Sequence, residues 1–285
     1  MTEQNKLFQA GLVHGIPVNI SNMEQALVEV ETLISFREHH YVCFFEGNLF
    51  VRSLHEKDVH DVIAGASLIY PDGIVVAKEL GWNIKQPIHR VSGPSFILRA
   101  CEYGEKRKWR HFFLGGANGV AQKLAENLKS KYPEMLVAGC YTPPFGELTA
   151  EEERQIKQMI EESHTDLLWV ALGGPKQEFW MRKYLHEINV PVMLGVGAAF
   201  DFHSGNRPWA PPVIRKIGAE WLYRTVTGGK KTSLRNIKCI FQLIFMGLHG
   251  NLWVNQSEIH QNPPSVKRQS GITTPLRVAF IPFAV

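Results

Sequence analysis

Short apolar runs recur along this chain, and each ends in glycine, proline or polar residues just before a helical pattern begins. The clearest runs are Tyr41–Phe45, Arg110–Leu114 and Asp166–Leu172. Nearly continuous apolar residues are typical of parallel strands that helices cover on both sides. The alternation of such runs with helical segments predicts a doubly wound α/β fold, with a mostly parallel sheet and helices on both faces.

The other segments follow the same alternation. Further strands are predicted over Gly15–Ile20, Ser67–Tyr70, Met135–Gly139 and Val190–Gly195. Helices are predicted over Leu49–Ala64, Ile74–Leu80, Ser95–Lys106, Val120–Lys131 and Ala150–Ser163. Ser21 or Asn22 is positioned to cap an additional helix that follows the first strand.

Size and composition indicate an ordinary globular protein. The 285 residues are 45% hydrophobic and 20% charged, so the chain can bury one large core or two modest ones. The four cysteines are widely spaced and form no CxxC motif, which predicts reduced cysteines in a cytosolic protein. We expect no secretion signal, because the amino terminus lacks an apolar h-region, and no membrane span, because no apolar run reaches about 18 residues.

Charge is distributed unevenly along the chain. The segment from Arg215 to Lys238 holds seven basic residues and one acid, Glu220, so it carries +6 while the rest of the chain carries −2. We therefore predict an α/β catalytic domain at 1–205, a basic helical appendage at 206–254 and a flexible tail at 255–285. The appendage indicates an anionic partner such as phosphate, acidic lipid or nucleic acid.

An apolar block, Cys239–Leu248, follows the basic residues of the appendage. It is too short to span a bilayer but suits docking at a membrane interface. Packing against the sheet domain or against a partner chain would explain it equally well.

The stretch Ser67–Gly73 places a carboxylate at the end of a predicted strand. Pro71 ends the strand, Asp72 follows it, and Gly73 permits a tight turn into the next helix. Ligands of open α/β sheets bind at the carboxyl ends of the strands, where a partly desolvated carboxylate can act as a base. Taken alone, capping of the following helix is the more common role for such a residue.

Other strand ends also carry polar residues or glycines. Strand, glycines and helix at residues 110–131 have the layout that aims backbone N–H groups at a phosphate, but they lack both GxGxxG spacing and the Walker lysine. Turn formation, capping or solvation would explain most of these residues equally well. The further candidates for a ligand site are Glu46, Asn48, Arg90, Gly115, Gly116, Gly119, Tyr141, Phe145, Lys176, Gln177, Asp201 and Arg224.

Six motifs occur in a fixed order. They are YPDG (Tyr70–Gly73), RVSG (Arg90–Gly93), FFLGG…G (Phe112–Gly119), LGGPKQE (Leu172–Glu178), GVGAAFDF (Gly195–Phe202) and EWLYR (Glu220–Arg224). Over roughly residues 11–250 the chain closely resembles the WecG/TagA/CpsF family of bacterial glycosyltransferases. That family transfers a sugar from a UDP-sugar to a polyprenyl-diphosphate-linked saccharide, in the synthesis of enterobacterial common antigen, teichoic acid linkage units and exopolysaccharides.

The resemblance implies partners and a location. We expect an inverting, metal-independent enzyme without a cofactor, associated peripherally with the cytoplasmic face of the bacterial plasma membrane. Its partners would be a UDP-sugar, a polyprenyl-diphosphate-linked sugar and the anionic membrane surface, with no nucleic acid. The sequence leaves undecided whether the apolar appendage helix joins copies of the chain into a homo-oligomer.

The resemblance also implies roles for individual residues. Asp72 would be the general base and Asn48 would contact the sugar or the base. The sugar and acceptor site would be lined by Arg90 and Gln177, and the nucleotide would be bordered by the glycines Gly115, Gly116 and Gly119. Arg224 would face the diphosphate. Glu46 departs from the family, which usually has a small residue such as threonine here, so glucose-type donors are as plausible as N-acetylmannosamine.

The chemistry fits these residues independently of the resemblance. An inverting transfer needs a carboxylate to accept the proton of the attacking hydroxyl, and cationic or N–H groups to stabilise the departing diphosphate. The chain has no DxD-like aspartate pair, so arginines of the appendage are the obvious substitute.

Two other functions would also explain a sheet with glycine-rich turns. A nicotinamide-dependent oxidoreductase is disfavoured, because no strand is followed by GxGxxG with an acid about 20 residues later. A non-catalytic protein that binds sugar nucleotides or lipid is the second alternative.

Overall fold

The computed structural model describes residues 8–144, 146, 148–229, 233–234 and 236–242. The strands are β1 (Ala10–Val13), β2 (Ile16–Asn19), β3 (His40–Phe45), β4 (Leu68–Pro71), β5 (Arg110–Gly115), β6 (Leu136–Tyr141), β7 (Leu167–Ala171) and β8 (Val192–Gly195). The first helices are α1 (Met23–Phe36), α2 (Gly47–His55), α3 (Lys57–Ala64), α4 (Ile74–Ile84), α5 (Gly93–Glu105) and α6 (Val120–Lys131). They are followed by α7 (Ala150–Glu162), α8 (Lys176–Lys183), α9 (Ala199–His203), α10 (Pro212–Lys216) and α11 (Glu220–Thr227).

The main sheet has six strands in the order β4-β3-β8-β7-β5-β6, and every neighbouring pair is parallel. The predicted α/β fold with a parallel sheet is therefore confirmed. Because all six strands point the same way, their carboxyl ends share one edge. Phe45 at the end of β3 lies opposite Pro71 of β4, and Gly115 of β5 lies opposite Ala171 of β7.

Alternate strand residues enter two separate cores, one on each face of the sheet. Phe44 and Trp169 belong to the core that α1, α5, α6 and α9 cover. Phe45 and Val170 belong to the core that α2, α3, α4, α7 and α8 cover. Burial of each large apolar side chain stabilises the fold by about 1.5–3 kcal/mol, so both faces hold the sheet rigid beneath its carboxyl edge.

The amino-terminal region differs from its prediction. The strand expected over Gly15–Ile20 is instead the second arm of an antiparallel hairpin, β1–β2, which is a separate sheet. His14 and Gly15 form the turn with positive φ angles of 48° and 81°. The helix that follows begins as predicted, with Asn22 and Gln25 forming a capping box.

One predicted helix is also wrong in its extent. The segment expected to form a single helix over Leu49–Ala64 is divided into α2 and α3 at Glu56, whose backbone is extended. Apolar residues at helical spacing on both sides of the break face the same core, so the sequence pattern does not reveal it.

The appendage begins with α10 and α11, and residues 236–242 are also helical. Gly218, between α10 and α11, lies directly over the side chain of Ile74 at the start of α4. The basic residues Lys230, Lys231 and Arg235, the second half of the Cys239–Leu248 block and the tail lie outside the described residues. The division of the chain into 1–205, 206–254 and 255–285 stays a prediction. Within the described ranges, no helix has the length and apolar character that crossing a bilayer requires.

Candidate active site

A cleft of about 950 Å³ runs along the carboxyl edge of the sheet. The segments that follow all six strands contribute to its wall, through Glu46, Asp72, Gly116, Pro143, Gly173 and Gly197. The appendage also contributes to the lining, through Arg224, Thr227 and Gly228. The position agrees with the general location of ligand sites in open α/β sheets.

The turn after β5 requires glycine for close packing. A Cβ atom on Gly115 would lie 2.4 Å from the carbonyl oxygen of Ala171, and the φ angle of this glycine is 117°. The N–H of Gly116 donates to the same carbonyl at 2.9 Å. Gly115 is therefore explained by the packing of β5 against β7, whereas Gly116 also lines the cleft.

Asp72 lies where β4 ends, and its carboxylate does not cap the helix that follows. The residue before α4 is Gly73, and no side chain caps this helix. Instead, Asp72 Oδ2 accepts a hydrogen bond of 3.4 Å from the N–H of Gly93, the first residue of α5. The capping role that was considered for Asp72 is thus excluded for α4.

Burial raises the pKa of Asp72 to about 6. Arg90 opposes this rise, with Nη2 at 3.9 Å from Asp72 Oδ1, and Arg224 opposes it as well. Glu220 and Glu46 add to the rise, because neighbouring negative charges disfavour ionisation. About 20% of the Asp72 side chain remains exposed. A carboxylate of this kind is ionised at neutral pH, reachable from the cleft, and more basic than an ordinary aspartate.

Arg90 does find an acidic partner in space, although none is near it in sequence. Its Nη2 donates to Glu220 Oε2 at 3.1 Å, and its Nε donates to the backbone oxygen of Asp72 at 2.7 Å. Arg90 lies beside the cleft rather than in its wall. The same holds for Asn48, Gly115, Gly119 and Tyr141, whose proposed contacts with substrate stay predictions.

Gln177 lies in the floor of the cleft and is almost fully buried. Its Nε2 donates to Glu178 Oε1 at 2.9 Å, and this contact orients the amide. Gln177 Oε1 is buried and has no hydrogen-bond partner among the residues that the structure describes. An unpaired buried acceptor beside a cleft is costly unless a ligand satisfies it.

The comparisons with known proteins agree with this geometry. Residues 12–253 match the Glycosyl transferase WecG/TagA/CpsF family. The chain belongs to this family. The match includes every site residue described above.

Three bacterial relatives carry the same name, N-acetylglucosaminyldiphosphoundecaprenol N-acetyl-beta-D-mannosaminyltransferase. The Bacillus spizizenii strain W23 protein is 32% identical over 169 residues, which are 58% of this chain and 63% of that protein. The Bacillus subtilis strain 168 protein is 26% identical over 226 residues, 76% of this chain and 84% of that protein. The Staphylococcus aureus MRSA252 protein is 30% identical over 172 residues, 60% of this chain and 65% of that protein. The aligned region thus spans just under two thirds of the Bacillus spizizenii and Staphylococcus aureus relatives.

Among the family motifs, GVGAAFDF holds a loop together at the rim of the cleft. Asp201 accepts a hydrogen bond of 2.6 Å from Asn206 Nδ2, and its other oxygen is 3.4 Å from Arg207 Nε. Asp201 therefore shapes residues 205–207 as well as lining the cleft. The guanidinium of Arg224 lies 5.0 Å from the ring centre of Phe202, which keeps this cation at the cleft wall.

Sequence reasoning missed two acidic residues of the site. Glu178 is fully buried next to Gln177, and burial raises its pKa to about 7. It is part of the LGGPKQE motif, but a glutamate in a first helical turn is typical of an exposed position. Glu220 was identified only as the single acidic residue of a basic segment. Its isolated negative charge was the sequence feature that could have indicated a role in the site.

Lys176 and Phe145 are the remaining predicted site residues. Lys176 is exposed at the first position of α8 and lines the cleft. Phe145 lies outside the described residues. In the described ranges, no group of three or more His, Cys, Asp or Glu side chains is arranged to hold a metal ion.

Proposed function

We propose that this protein transfers a sugar, with N-acetylmannosamine as the first candidate, from a UDP-sugar to undecaprenyl-diphosphate-linked N-acetylglucosamine. The observation that carries the proposal is Asp72, a carboxylate of raised pKa at the cleft formed by the strand ends. The family match and the names of the relatives support the substrate classes.

In the proposed reaction, a hydroxyl oxygen of the acceptor sugar attacks the anomeric carbon of the donor. Asp72 accepts the proton of that hydroxyl as the new C–O bond forms, and the bond between the anomeric carbon and the diphosphate breaks. The electron pair leaves with UDP. Attack from the side opposite the leaving group inverts the anomeric centre.

The leaving diphosphate needs positive charge or N–H donors around it. Arg224 and Lys176 both line the cleft, and the turn at Gly116 leads into the start of α6. Such groups stabilise charge that develops on a departing phosphate. The cleft volume is at the upper end of the range for small-molecule sites, as an extended UDP-sugar requires.

The acceptor's lipid places the reaction at a membrane surface. The described part of the appendage exposes large apolar side chains, namely Val213, Ile217, Trp221, Leu222, Val226, Leu234 and Phe241. Basic residues are interspersed with them, among them Lys216 and Lys238. Apolar side chains with flanking cations favour an anionic interface. We therefore propose peripheral binding at the cytoplasmic face of the plasma membrane.

A panel of donors tests the activity. The enzyme would be mixed with a polyprenyl-diphosphate-linked N-acetylglucosamine and with UDP-N-acetylmannosamine, UDP-N-acetylglucosamine or UDP-glucose, with and without EDTA, and UDP release measured. We expect release that depends on both donor and acceptor and that EDTA does not abolish. Binding of UDP without release from any donor would instead favour a non-catalytic binding protein. Preference for UDP-glucose would correct the donor while leaving the reaction class intact.

A further inference from the structure

The guanidinium of Arg90 joins the catalytic edge to the appendage, across 130 residues of sequence. It donates to the backbone oxygen of Asp72 at 2.7 Å through Nε and to Glu220 at 3.1 Å through Nη2. Its Nη1 lies 3.5 Å from the backbone oxygen of Arg215. All three of its nitrogens thus face acceptors of the protein itself, so Arg90 is held in place before any substrate binds.

Glu220 is fixed from its other side as well. Its Oε1 accepts a hydrogen bond of 3.2 Å from Trp209 Nε1, while the guanidinium of Arg215 lies 3.7 Å from the centre of the Trp209 ring. His203 packs edge-on against Trp209, with ring centres 4.8 Å apart. Glu220 is therefore oriented by two donors and cannot turn away from Arg90 without breaking both contacts.

Several charges face Asp72 from different elements. Arg90 comes from the loop before α5, Glu46 from the turn after β3, and Glu220 and Arg224 from α11. The N–H of Gly93 adds a donor from the start of α5. Arg90 Nη2 is closer to Glu220, at 3.1 Å, than to the Asp72 carboxylate, at 3.9 Å. Glu220 thus pairs with the Arg90 guanidinium, which would otherwise pair directly with the Asp72 carboxylate.

We propose that Glu220 is a positioning residue that holds Arg90 away from the Asp72 carboxylate, so that the seated appendage keeps Asp72 basic enough to deprotonate the acceptor. This proposal rests on the proposed role of Asp72 as the general base. It also explains why a single acid lies within a segment that is otherwise basic from Arg215 to Lys238. Both the removal of the Glu220 charge and the release of Arg90 would favour ionised Asp72.

The test is the variant Glu220→Gln, which keeps the size and one acceptor of the side chain but removes its charge. We expect the acid limb of the plot of kcat against pH to move to lower pH by about one unit. We expect kcat on the plateau to fall, since a weaker base accepts the proton less readily, and KM for the donor to stay within about twofold. A purely structural role for Glu220 would lower activity without moving the limb.

A second measurement reads the pKa of Asp72 without any turnover. The melting temperature of the Glu220→Gln variant would be compared with that of Glu220→Gln combined with Asp72→Asn over a range of pH. The pH at which the difference between the two curves levels off reports the ionisation of Asp72 in the folded protein. A change in the Asp72 pKa relative to the wild type that appears in the melting curves but not in the plot of kcat against pH would refute Asp72 as the general base. No shift in either measurement would overturn the role of Glu220.

Two further variants complete the design. Glu220→Asp retains the charge, so the acid limb of its pH profile should lie closer to that of the wild type. A shift equal to that of Glu220→Gln would also overturn the proposal. This variant replaces Glu220→Gln if the glutamine variant folds poorly. Glu134→Gln is the matched control, because Glu134 pairs with Lys108 just before β6, at the opposite end of the sheet from the cleft.

Discussion

At the scale of single residues, Asp72 is the proposed general base, and its replacement should have two separable effects. Asp72→Asn should lower transfer by about 10²–10⁴-fold, the usual contribution of a general base. UDP binding should change little, because the amide keeps the shape of the side chain. Steady-state rates and calorimetric titration with UDP would measure the two effects, and near-wild-type turnover would remove Asp72 from the mechanism.

The same variant should be more stable than the wild type above neutral pH. The pKa of Asp72 is about 6 in the folded protein and 3.8 in the reference state, so ionisation opposes folding. The penalty is absent well below pH 4, grows between about pH 4 and pH 6, and levels off above pH 6 at no more than about 3 kcal/mol, by the conversion of 1.36 kcal/mol per pKa unit. Thermal unfolding should therefore show a clearly larger gain for Asp72→Asn at pH 8 than at pH 4.

Glu46 is the residue on which donor choice should depend. It lines the cleft at the turn after β3. Its carboxylate can only accept hydrogen bonds from sugar hydroxyls, whereas a threonine hydroxyl could also donate one. Glu46→Thr should therefore change the relative rates with UDP-N-acetylmannosamine and UDP-glucose. An equal fall with every donor would make Glu46 a structural residue.

At the scale of elements, the ends of β3 and β4 are packed so closely that only glycine fits between them. The N–H groups of Asp72 and Gly73 both lie 3.2 Å from the carbonyl oxygen of Phe45. A Cβ atom on Gly73 would lie 2.9 Å from the backbone nitrogen of Gly47. Any side chain at Gly73 must therefore push the start of α2 away from Asp72.

Gly73→Ala should consequently lower both stability and activity. We expect a loss of about 1–3 kcal/mol in the free energy of unfolding, the usual cost of overpacking. Transfer should fall by more than that loss explains, because Asp72 and Glu46 move apart. Chemical denaturation and initial rates would be compared with Gly229→Ala, where an added Cβ has no neighbour within 4 Å. An equal effect of both substitutions would show that the close contact is unimportant.

The elements that sequence predicted well are those with a strong local signal. Continuous apolar runs identified β3, β5 and β7, and the residues at their ends lay at the cleft because parallel strands share one carboxyl edge. The hairpin strand Ala10–Val13 was missed because its burial alternates but its residue types do not: all four are small or apolar. The pairing of Arg90 with Glu220 could not be predicted, since it depends on the packing of distant segments.

At the scale of the whole molecule, the exposed apolar side chains in α10 and directly after it should bind membranes. Val213 and Ile217 are 73% and 69% exposed, so Val213→Asp with Ile217→Asp should leave the fold intact. Each added negative charge near an anionic surface costs about 1 kcal/mol, in addition to the lost apolar contact, so vesicle binding should weaken at least about tenfold. Sedimentation with anionic vesicles would measure this.

A matched control carries the same charges elsewhere. Val28→Asp with Met159→Asp alters two exposed apolar residues of α1 and α7, and it should bind vesicles like the wild type. Unchanged binding of the α10 variant would exclude this surface as the membrane contact. A change in sedimentation velocity without vesicles would instead indicate that the surface joins two copies of the chain.

Helix α11 presents Arg224 to the cleft and Trp221, Leu222 and Val226 to solvent. One helix thus borders both the proposed nucleotide site and the proposed membrane surface, so any coupling between the two binding equilibria must be reciprocal. If binding to a bilayer multiplies the affinity for the donor by some factor, binding of the donor multiplies the affinity for the bilayer by the same factor. If that factor is greater than one, the enzyme resides longest on the membrane when it is loaded with donor, and its departure is favoured once UDP has left.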